Sequence, residues 1–456
     1  MKRLIHILFL CLLCNQLQAQ LSPAITSWLQ NTTETGSYYM QGNSMPIDNG
    51  ILYNCQQVEY SADFVYVSTN GIPAYPTGPF LDGNPSQASS QNAIFKIPLN
   101  PVANTAAPIT TTGGNIGIFI NGVALFDYRD GVAWNPNTNA LCGGPGNPPC
   151  QGGPMTEQDW NRDAVPAEMA GFDCSKAHPA MGNYHHHQNP SAFKLDLNVV
   201  STICNLYDAD GLYAIDSTQH SPLIGFAYDG FPIYGAYGYK NEDGSGGIVR
   251  IRSGYQLRNI TERTQHADGT DVSDGPVVDA TYFLGYFRED YEWISHPGEE
   301  EYLDVHNGRF CVTPEYPNGT YAYFATVDEN WNSAYPYAVG PTFYGVSENR
   351  SVANVDEPTT IYDVSTSIDN LADKLNVSIF PNPSSDLIAV QINDLVNEDF
   401  ALQLIDMKGK VVDTSRIRKG STIAYFDTQR FYAGTYVIRI TNASYQISRK
   451  VVIEKE

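Results

Sequence analysis

The chain has 456 residues, of which 42% are hydrophobic and only 16% are charged, so it is long enough for two or three domains with sizeable cores. Its 49 acidic residues outnumber its 26 basic residues, giving a net charge of −23. A surface of that sign repels phosphate backbones, which excludes nucleic acid as a partner. The 38 Gly, 28 Pro and 30 Tyr residues are typical of a mainly β protein with long loops.

The N-terminus has the three parts of a secretory signal peptide. Lys2 and Arg3 form a basic start, Leu4–Leu13 is a short apolar run, and Leu17–Ala19 fits a cleavage site. We therefore expect residues 1–19 to be removed during export. The apolar run is too short to span a bilayer, and no later stretch approaches the length of about 18 apolar residues that a spanning helix needs, so we expect no transmembrane segment.

The region that follows separates into a short leader, a long strand-rich part and a linker. Residues 20–50 are polar and weakly patterned, and we expect a leader arm there. Residues 51–346 contain short β-prone runs broken by Gly, Pro, Asn and Asp, with one short helix predicted at 156–162. Residues 347–370 are acidic and lack apolar periodicity, which is typical of a linker.

Six of the eight cysteines remain after removal of the signal peptide, and an even number in an exported chain predicts disulfide bonds. Cys142 and Cys150 bracket a Gly/Pro-rich turn and form the easiest local pair. Sequence does not choose the pairing of the other four, which are Cys55, Cys174, Cys204 and Cys311. We expect all six to be oxidised.

The last part of the chain, residues 371–456, is a regular succession of short strands and turns. The predicted strands begin at Val377, Leu387, Leu402, Lys410, Thr422, Gly434 and Lys450. Seven short strands with evenly spaced turns predict a small antiparallel, immunoglobulin-like sandwich. We find no cluster of catalytic type among its ionisable residues.

This tail resembles the C-terminal sorting domain of the type IX secretion system. The residues that carry the resemblance are Phe380-Pro-Asn-Pro, Asp406-Met-Lys-Gly-Lys, Ala433-Gly-Thr-Tyr-Val-Ile and Lys450-Val-Val-Ile. The resemblance implies that residues 371–456 engage the type IX secretion machinery and are cleaved off after transport across an outer membrane. We expect a mature protein that begins near Gln20, ends in the linker, and is secreted or held at the outer cell surface, with surface anchoring as one outcome of tail cleavage.

Histidines are concentrated in one segment of the strand-rich region, at Tyr184-His185-His186-His187. In a β-strand, successive side chains point to opposite faces. His185 and His187 would then share one face, and Tyr184 and His186 the other. Two neutral imidazoles on one face can chelate a single divalent cation.

Further ligands for such an ion must come from elsewhere in the chain. The candidates are His178, His220 and His306, which lie near turns or strand ends. Histidine sites in exported proteins suit copper or zinc, so we expect a transition metal bound by His185, His187 and one or more of these three residues. The alternative is that the histidines form a polar turn or a hydrogen-bonded patch in the core, without a metal.

Two other functions fit the composition. Asp229 or Asp304, beside a histidine or a bound water, could serve a hydrolase, metal-dependent or not, although Asp229-Gly230 is first of all a turn signal. The many tyrosines could instead form a binding module for glycans or surface polymers. Residue spacing does not decide among these functions.

Residues 51–346 resemble the YHYH-domain proteins, a family named for a Tyr-His-Tyr-His motif. The matching segments are Tyr60-Ser-Ala-Asp-Phe-Val-Tyr-Val, Asn121-Gly-Val, Tyr184-His-His-His, Ala227-Tyr-Asp-Gly-Phe-Pro-Ile-Tyr-Gly and His306-Asn-Gly-Arg. The third motif position, usually Tyr, is His186 here, but His185 and His187 keep the same-face pair. The resemblance implies an exported, mainly β domain with long loops and does not settle its activity.

Overall fold

The structure, a computed structural model, describes residues 21–40, 45–80, 87–153, 156–190, 217–347, 351–362, 377–392, 399–406, 410–442 and 446–455. The predicted signal peptide, Cys204 and residues 363–370 of the predicted linker lie outside these ranges. The chain divides into two compact units, Met1–Tyr362 and Asp363–Glu456. None of the helices in the described ranges has the length and apolar character needed to cross a membrane.

The first unit consists mainly of short strands, as the frequent Gly, Pro, Asn and Asp breaks in its sequence require. Its helical turns are α1 (Pro23–Thr26), α2 (Ala164–Glu168) and two 3₁₀ turns, Met169–Gly171 and Arg288–Asp290. Its strands are β1 (Thr35–Tyr38), β2 (Ile47–Leu52), β3 (Cys55–Tyr60), β4 (Phe64–Thr69), β5 (Ala93–Pro98), β6 (Ile109–Thr110), β7 (Asn115–Phe119), β8 (Ala124–Phe126), β9 (Arg129–Asn135), β10 (Ala140–Cys142), β11 (Asn161–Asp163), β12 (Ala177–Ala180), β13 (Asn183–His186), β14 (Leu223–Ala227), β15 (Pro232–Tyr234), β16 (Tyr237–Tyr239), β17 (Ile248–Arg250), β18 (Tyr255–Leu257), β19 (Tyr291–Trp293), β20 (Gly308–Cys311), β21 (Thr320–Phe324), β22 (Thr342–Phe343), β23 (Ser351–Val352) and β24 (Thr360–Ile361).

An eight-stranded mixed sheet, in the order β12-β13-β8-β7-β14-β15-β21-β20, forms the centre of this unit. Two of its strand pairs, β13–β8 and β15–β21, are parallel and the others are antiparallel. All five residues of β14 are buried, because the strand is covered on both faces. Five further strands form a second sheet, β23-β5-β4-β3-β24, and β10-β9-β11 form a third.

The folded part of the first unit includes residues on both sides of the predicted range 51–346. In the expected leader arm, Trp28 is buried and its ring centroid lies 5.4 Å from that of Phe226 in the central sheet. In the expected linker, β23 pairs with β5 and β24 pairs with β3. Strands of only two residues carry no recognisable periodicity, because their stability comes from the neighbouring strand they pair with.

The helix predicted at residues 156–162 is wrong, because the helix of this region lies after the strand β11. The helix begins instead at Ala164, and Asp163 caps it by accepting a hydrogen bond from the Val165 N–H. Trp160 is fully buried, and Asn161–Asp163 form the edge strand β11, so tertiary packing overrides the local helical preference. This shift matters for function, because the helix ends at Glu168.

The second unit confirms the predicted seven-strand sandwich. Its strands are β25 (Val377–Phe380), β26 (Leu387–Ile392), β27 (Phe400–Asp406), β28 (Val411–Ile417), β29 (Ile423–Asp427), β30 (Gly434–Thr441) and β31 (Gln446–Ile453). They form two antiparallel sheets, β25-β26-β29 and β28-β27-β30-β31. Alternate residues such as Leu402, Leu404, Ile438 and Ile440 are fully buried, as the alternation along the strands requires.

The cysteines are only partly oxidised. Cys142 and Cys150 form the predicted local disulfide, and Cys174 is also disulfide-bonded. Cys55 and Cys311 are free and buried, so the expectation that all six pair is wrong for these two. Burial raises the pKa of both thiols, which keeps them protonated and unreactive.

Candidate metal centre

A tight hairpin at the edge of the central sheet positions the first two histidines. Strands β12 and β13 are joined by Met181 and Gly182, which both have positive φ, as a two-residue hairpin turn of the mirror-image type requires. A β-carbon on Gly182 would lie 2.0 Å from Ser89 Oγ, so only glycine fits there. The register places His178 directly opposite His185.

His187 joins the other two histidines just beyond the end of β13. One ligand nitrogen from each of His178, His185 and His187 lies within 4.8 Å of the others, and all three residues are buried. The Nε2 atoms of His185 and His187 are 3.0 Å apart. His185 and His187 therefore lie close together, and of the three residues considered as further ligands, His178 lies in the same cluster.

Backbone carbonyls fix the protonation pattern of two of these rings. His185 Nδ1 is 2.8 Å from the carbonyl of Asn183, and His187 Nδ1 is 2.6 Å from the carbonyl of Asp127. A carbonyl oxygen can only accept, so both Nδ1 atoms carry a proton and donate it. When a ring of this form is neutral, its Nε2 carries an unprotonated lone pair, which is the ligand form of histidine.

The electrostatics of the cluster oppose protonation of His185. Burial lowers the pKa of His185 well below its usual range, and the adjacent His187 and His178 lower it further. Two Nε2 lone pairs 3.0 Å apart repel each other unless a cation or a proton lies between them. Because burial disfavours a proton on His185, a metal cation held by both nitrogens would relieve this repulsion.

Aromatic rings surround the cluster and restrict the access of water. Phe126 stacks on His185 with the ring centroids 3.7 Å apart. Phe172 meets His178 edge-on at 5.0 Å and is roughly parallel to His187 at 6.2 Å. These contacts hold the imidazoles in fixed orientations and lower the local dielectric, which strengthens any charge interaction inside.

The sequence reasoning missed Glu168, the last residue of α2. Its Oε2 lies 3.2 Å from His178 Nε2 and 3.4 Å from His187 Nε2. Burial raises the pKa of this carboxyl, but the two histidines outweigh that effect and lower the pKa overall, so Glu168 is ionised. No spacing signal points to it, because it lies ten residues before His178 and on a helix that was predicted elsewhere.

The other face of β13 belongs to the hydrophobic core. Tyr184 is fully buried and donates a hydrogen bond to Asp173 at 2.7 Å, while His186 Nε2 lies 3.0 Å from the hydroxyl of Tyr75. Burial raises the pKa of Asp173 to about 6 and lowers that of His186 to about 3. His186 therefore replaces a tyrosine as a neutral, hydrogen-bonded core residue.

The remaining predicted ligands lie elsewhere. His220 Nδ1 donates to the Ser221 carbonyl at 2.7 Å, and its ring packs against Tyr234 and Tyr239. His306 Nδ1 lies 2.6 Å from Thr342 Oγ1. Neither belongs to the three-histidine cluster, which is the group of potential ligands found in the described part of the chain.

The two aspartates considered for catalysis are engaged in hydrogen bonds that stabilise turns. Asp229 is fully buried and accepts from the Tyr323 hydroxyl at 2.6 Å and the Gly345 N–H at 2.8 Å, and burial raises its pKa to about 6. Asp304 accepts from the Tyr321 hydroxyl and from the backbone N–H of His306. Burial also raises the pKa of Asp304.

Comparison with known proteins agrees with this division of the chain. The family model described as a secretion system C-terminal sorting domain matches residues 378–454. A domain of this kind marks the chain as a secreted or cell-surface protein that uses the type IX secretion machinery. A search of curated proteins found no match.

Among solved structures, the chain is similar over 18% of its length to a DUF3244-family protein from Bacteroides vulgatus, which has an immunoglobulin-like β-sandwich fold. The match covers 88% of that protein at 22% identity with a TM-score of 0.16. The model described as YHYH protein matches residues 94–336, more than half of the chain and including all three clustered histidines. By this match, the chain belongs to the YHYH protein family.

Proposed function

We propose that the first unit of this exported protein binds a transition metal ion, zinc or copper, through His178, His185 and His187. The observation that carries the proposal is the 3.0 Å approach of two Nε2 atoms whose Nδ1 protons are both donated to backbone carbonyls. Such a pair needs a proton or a metal cation between the two nitrogens, and burial disfavours a proton on His185.

The surroundings of the cluster support the same function. Carbonyl partners on the second ring nitrogen fix the tautomer of a metal-binding histidine and increase its basicity. The excess of acidic residues gives the exported chain a field that attracts cations. On the opposite face of β13, by contrast, His186 Nε2 pairs with the Tyr75 hydroxyl and not with another imidazole.

The test is the metal content of the full chain, purified without chelators or metal resin and dialysed before elemental analysis. Wild-type protein should retain about one zinc or copper ion per chain, and the His185→Ala/His187→Ala double variant should lose it, since each lost ligand weakens affinity by roughly 10–100-fold. His186→Ala tests the opposite face and His220→Ala is a control outside the cluster. Both should keep the metal, and circular dichroism verifies that each variant is folded.

Equal metal in the wild type and the double variant, or none in the wild type even after zinc or copper is added, would overturn the proposal. Either result would favour the second candidate function, a glycan-binding module. A groove of about 480 Å³ supports that candidate, because its walls carry aromatic faces suited to sugar rings. The aromatic residues along it are Phe231, Phe310, Tyr316, Tyr321 and Tyr344.

A further inference from the structure

We infer that Glu168 is the fourth ligand of this centre and closes it, so that a zinc ion there would hold the fold together and would have no open position for a substrate. This inference rests on the proposed metal binding by the three histidines and adds the ligand that completes the site. Structural zinc sites have four protein ligands, whereas catalytic zinc sites keep one position open. A fourth ligand from Glu168 makes this centre a structural one.

Three of the six separations among the four proposed ligand atoms are close to those of a tetrahedral site. The separations are 3.0 Å from His185 Nε2 to His187 Nε2, 3.4 Å from His187 Nε2 to Glu168 Oε2, and 3.2 Å from Glu168 Oε2 to His178 Nε2. Four ligands each about 2.0–2.1 Å from one zinc ion in tetrahedral geometry lie about 3.3 Å from each other. The carboxylate oxygen is thus within tetrahedral ligand-to-ligand distance of two of the three histidine nitrogens, His178 Nε2 and His187 Nε2.

The burial of the Glu168 oxygen is a second observation. Oε2 is buried, although the side chain as a whole is 23% exposed, and it faces the Nε2 atoms of His178 and His187. Since both nitrogens are proposed ligands, an ion bound by them would also lie against this carboxylate oxygen. A buried carboxylate is stabilised by a cation that it contacts.

The donor set favours zinc over monovalent copper. Three imidazoles and a carboxylate are nitrogen and oxygen ligands, whereas monovalent copper prefers sulfur. The described free cysteines, Cys55 and Cys311, are not in the cluster. One carboxylate also offsets part of the charge of a divalent ion in this buried position.

A closed centre at this place would join two parts of the first unit. His178 and His185 lie on paired strands at the edge of the central sheet. Glu168 ends α2, which directly follows β11 of a separate three-stranded sheet. The ion would therefore act as a cross-link between the two sheets.

The experiment uses the full chain loaded with Co²⁺, whose visible spectrum reports coordination number, and adds azide as a probe for an open position. The wild-type spectrum should be tetrahedral and unchanged by azide. Glu168→Ala should bind Co²⁺ roughly 10–100-fold more weakly and give a spectrum that azide alters, because its fourth position is open. Glu168→Gln keeps the shape of the side chain and should bind Co²⁺ with intermediate affinity.

The matched control is Glu262→Ala, which removes an exposed carboxylate away from the cluster and should behave like the wild type. Azide sensitivity of the wild-type spectrum, or an unchanged spectrum and affinity in Glu168→Ala, would overturn the role of Glu168 while leaving metal binding intact. Failure of the wild type to bind Co²⁺ or zinc would overturn the proposed function itself. Tryptophan fluorescence shows whether each variant is folded before loading.

Discussion

The two units of the chain have cores of opposite character. The first unit buries ionisable side chains, among them Asp127, Asp163, Asp173, Arg263 and the three clustered histidines. In the described part of the second unit, the buried polar residues are Ser384 and Thr428, and the rest of the core is aliphatic or aromatic. The core of the first unit holds ionisable side chains in fixed positions, whereas the core of the second unit is almost entirely apolar.

This difference teaches where chemistry can occur in the chain. Burying a charge costs desolvation free energy, which attraction to an oppositely charged partner rarely offsets in full. Such groups therefore fix geometry more than they add stability. The sandwich, which serves transport, needs only a stable shape. The first unit uses buried charges and hydrogen bonds to hold loops and short strands in place around its histidine cluster.

The largest effect should follow removal of a buried cation. Arg263 and Asp290 are both fully buried and joined by two hydrogen bonds of 2.7 Å. Arg263→Met leaves the Asp290 carboxylate without its cation and should lower the free energy of unfolding by about 3–5 kcal/mol. Urea unfolding followed by tryptophan fluorescence measures this, since all five tryptophans are in the first unit.

The control for that prediction is an exposed ion pair of the second unit. Arg416 is 63% exposed and lies 3.8 Å from Asp399. Arg416→Met should change the stability of that unit by less than about 1 kcal/mol. Hydrogen exchange of peptides from β27 and β28 measures this change, because the second unit contains no tryptophan. A loss of similar size for Arg263→Met would show that its buried pair is no more important than a surface pair, and the contrast between the cores would fail.

In the second unit, shortening a buried apolar side chain should also lower the free energy of unfolding. Leu404 is fully buried in the sandwich core, so Leu404→Ala should cost about 2–5 kcal/mol through lost burial and the cavity it leaves. Hydrogen exchange of peptides from β27 and β30 should accelerate accordingly. Tyr432→Ala, at a residue 88% exposed, should leave their exchange nearly unchanged, and equal exchange in the two variants would contradict the prediction.

A smaller, pH-dependent effect should come from Asp229. Burial raises its folded-state pKa from 3.8 to about 6, so between these values the folded state binds a proton that the unfolded state has released. The stability gained from protonated Asp229 is complete below pH about 4 and is lost as pH rises through about 6, a loss of up to about 3 kcal/mol. Asp229→Asn cannot ionise and should escape this loss.

Urea midpoints of the wild type and Asp229→Asn at pH 4.5 and 7.5 measure the difference, with Asp268→Asn, an exposed turn residue, as the control. The midpoint of Asp229→Asn relative to the wild type should rise between the two pH values. A relative midpoint that stays constant or falls would mean that Asp229 is ionised in the folded state at both pH values.

The sandwich could be predicted strand by strand, because each strand alternates buried and exposed residues and the turns between strands are short. The first unit was predicted less well. Its fold class and the facing pair His185 and His187 follow from period-two alternation, but β23 and β24 are too short to carry a pattern. Glu168 was missed because α2 was predicted at the wrong place.

Sequence alone determined the C-terminal sorting domain with its sandwich, the Cys142–Cys150 bridge and the shared face of His185 and His187, because each depends on residues close together in the chain. Only the tertiary structure decided that His178 and Glu168 join the cluster, that His220 and His306 do not, and that Cys55 and Cys311 remain free. Those outcomes depend on which distant segments pack together, and packing is set by sheet order and register, which local patterns do not encode.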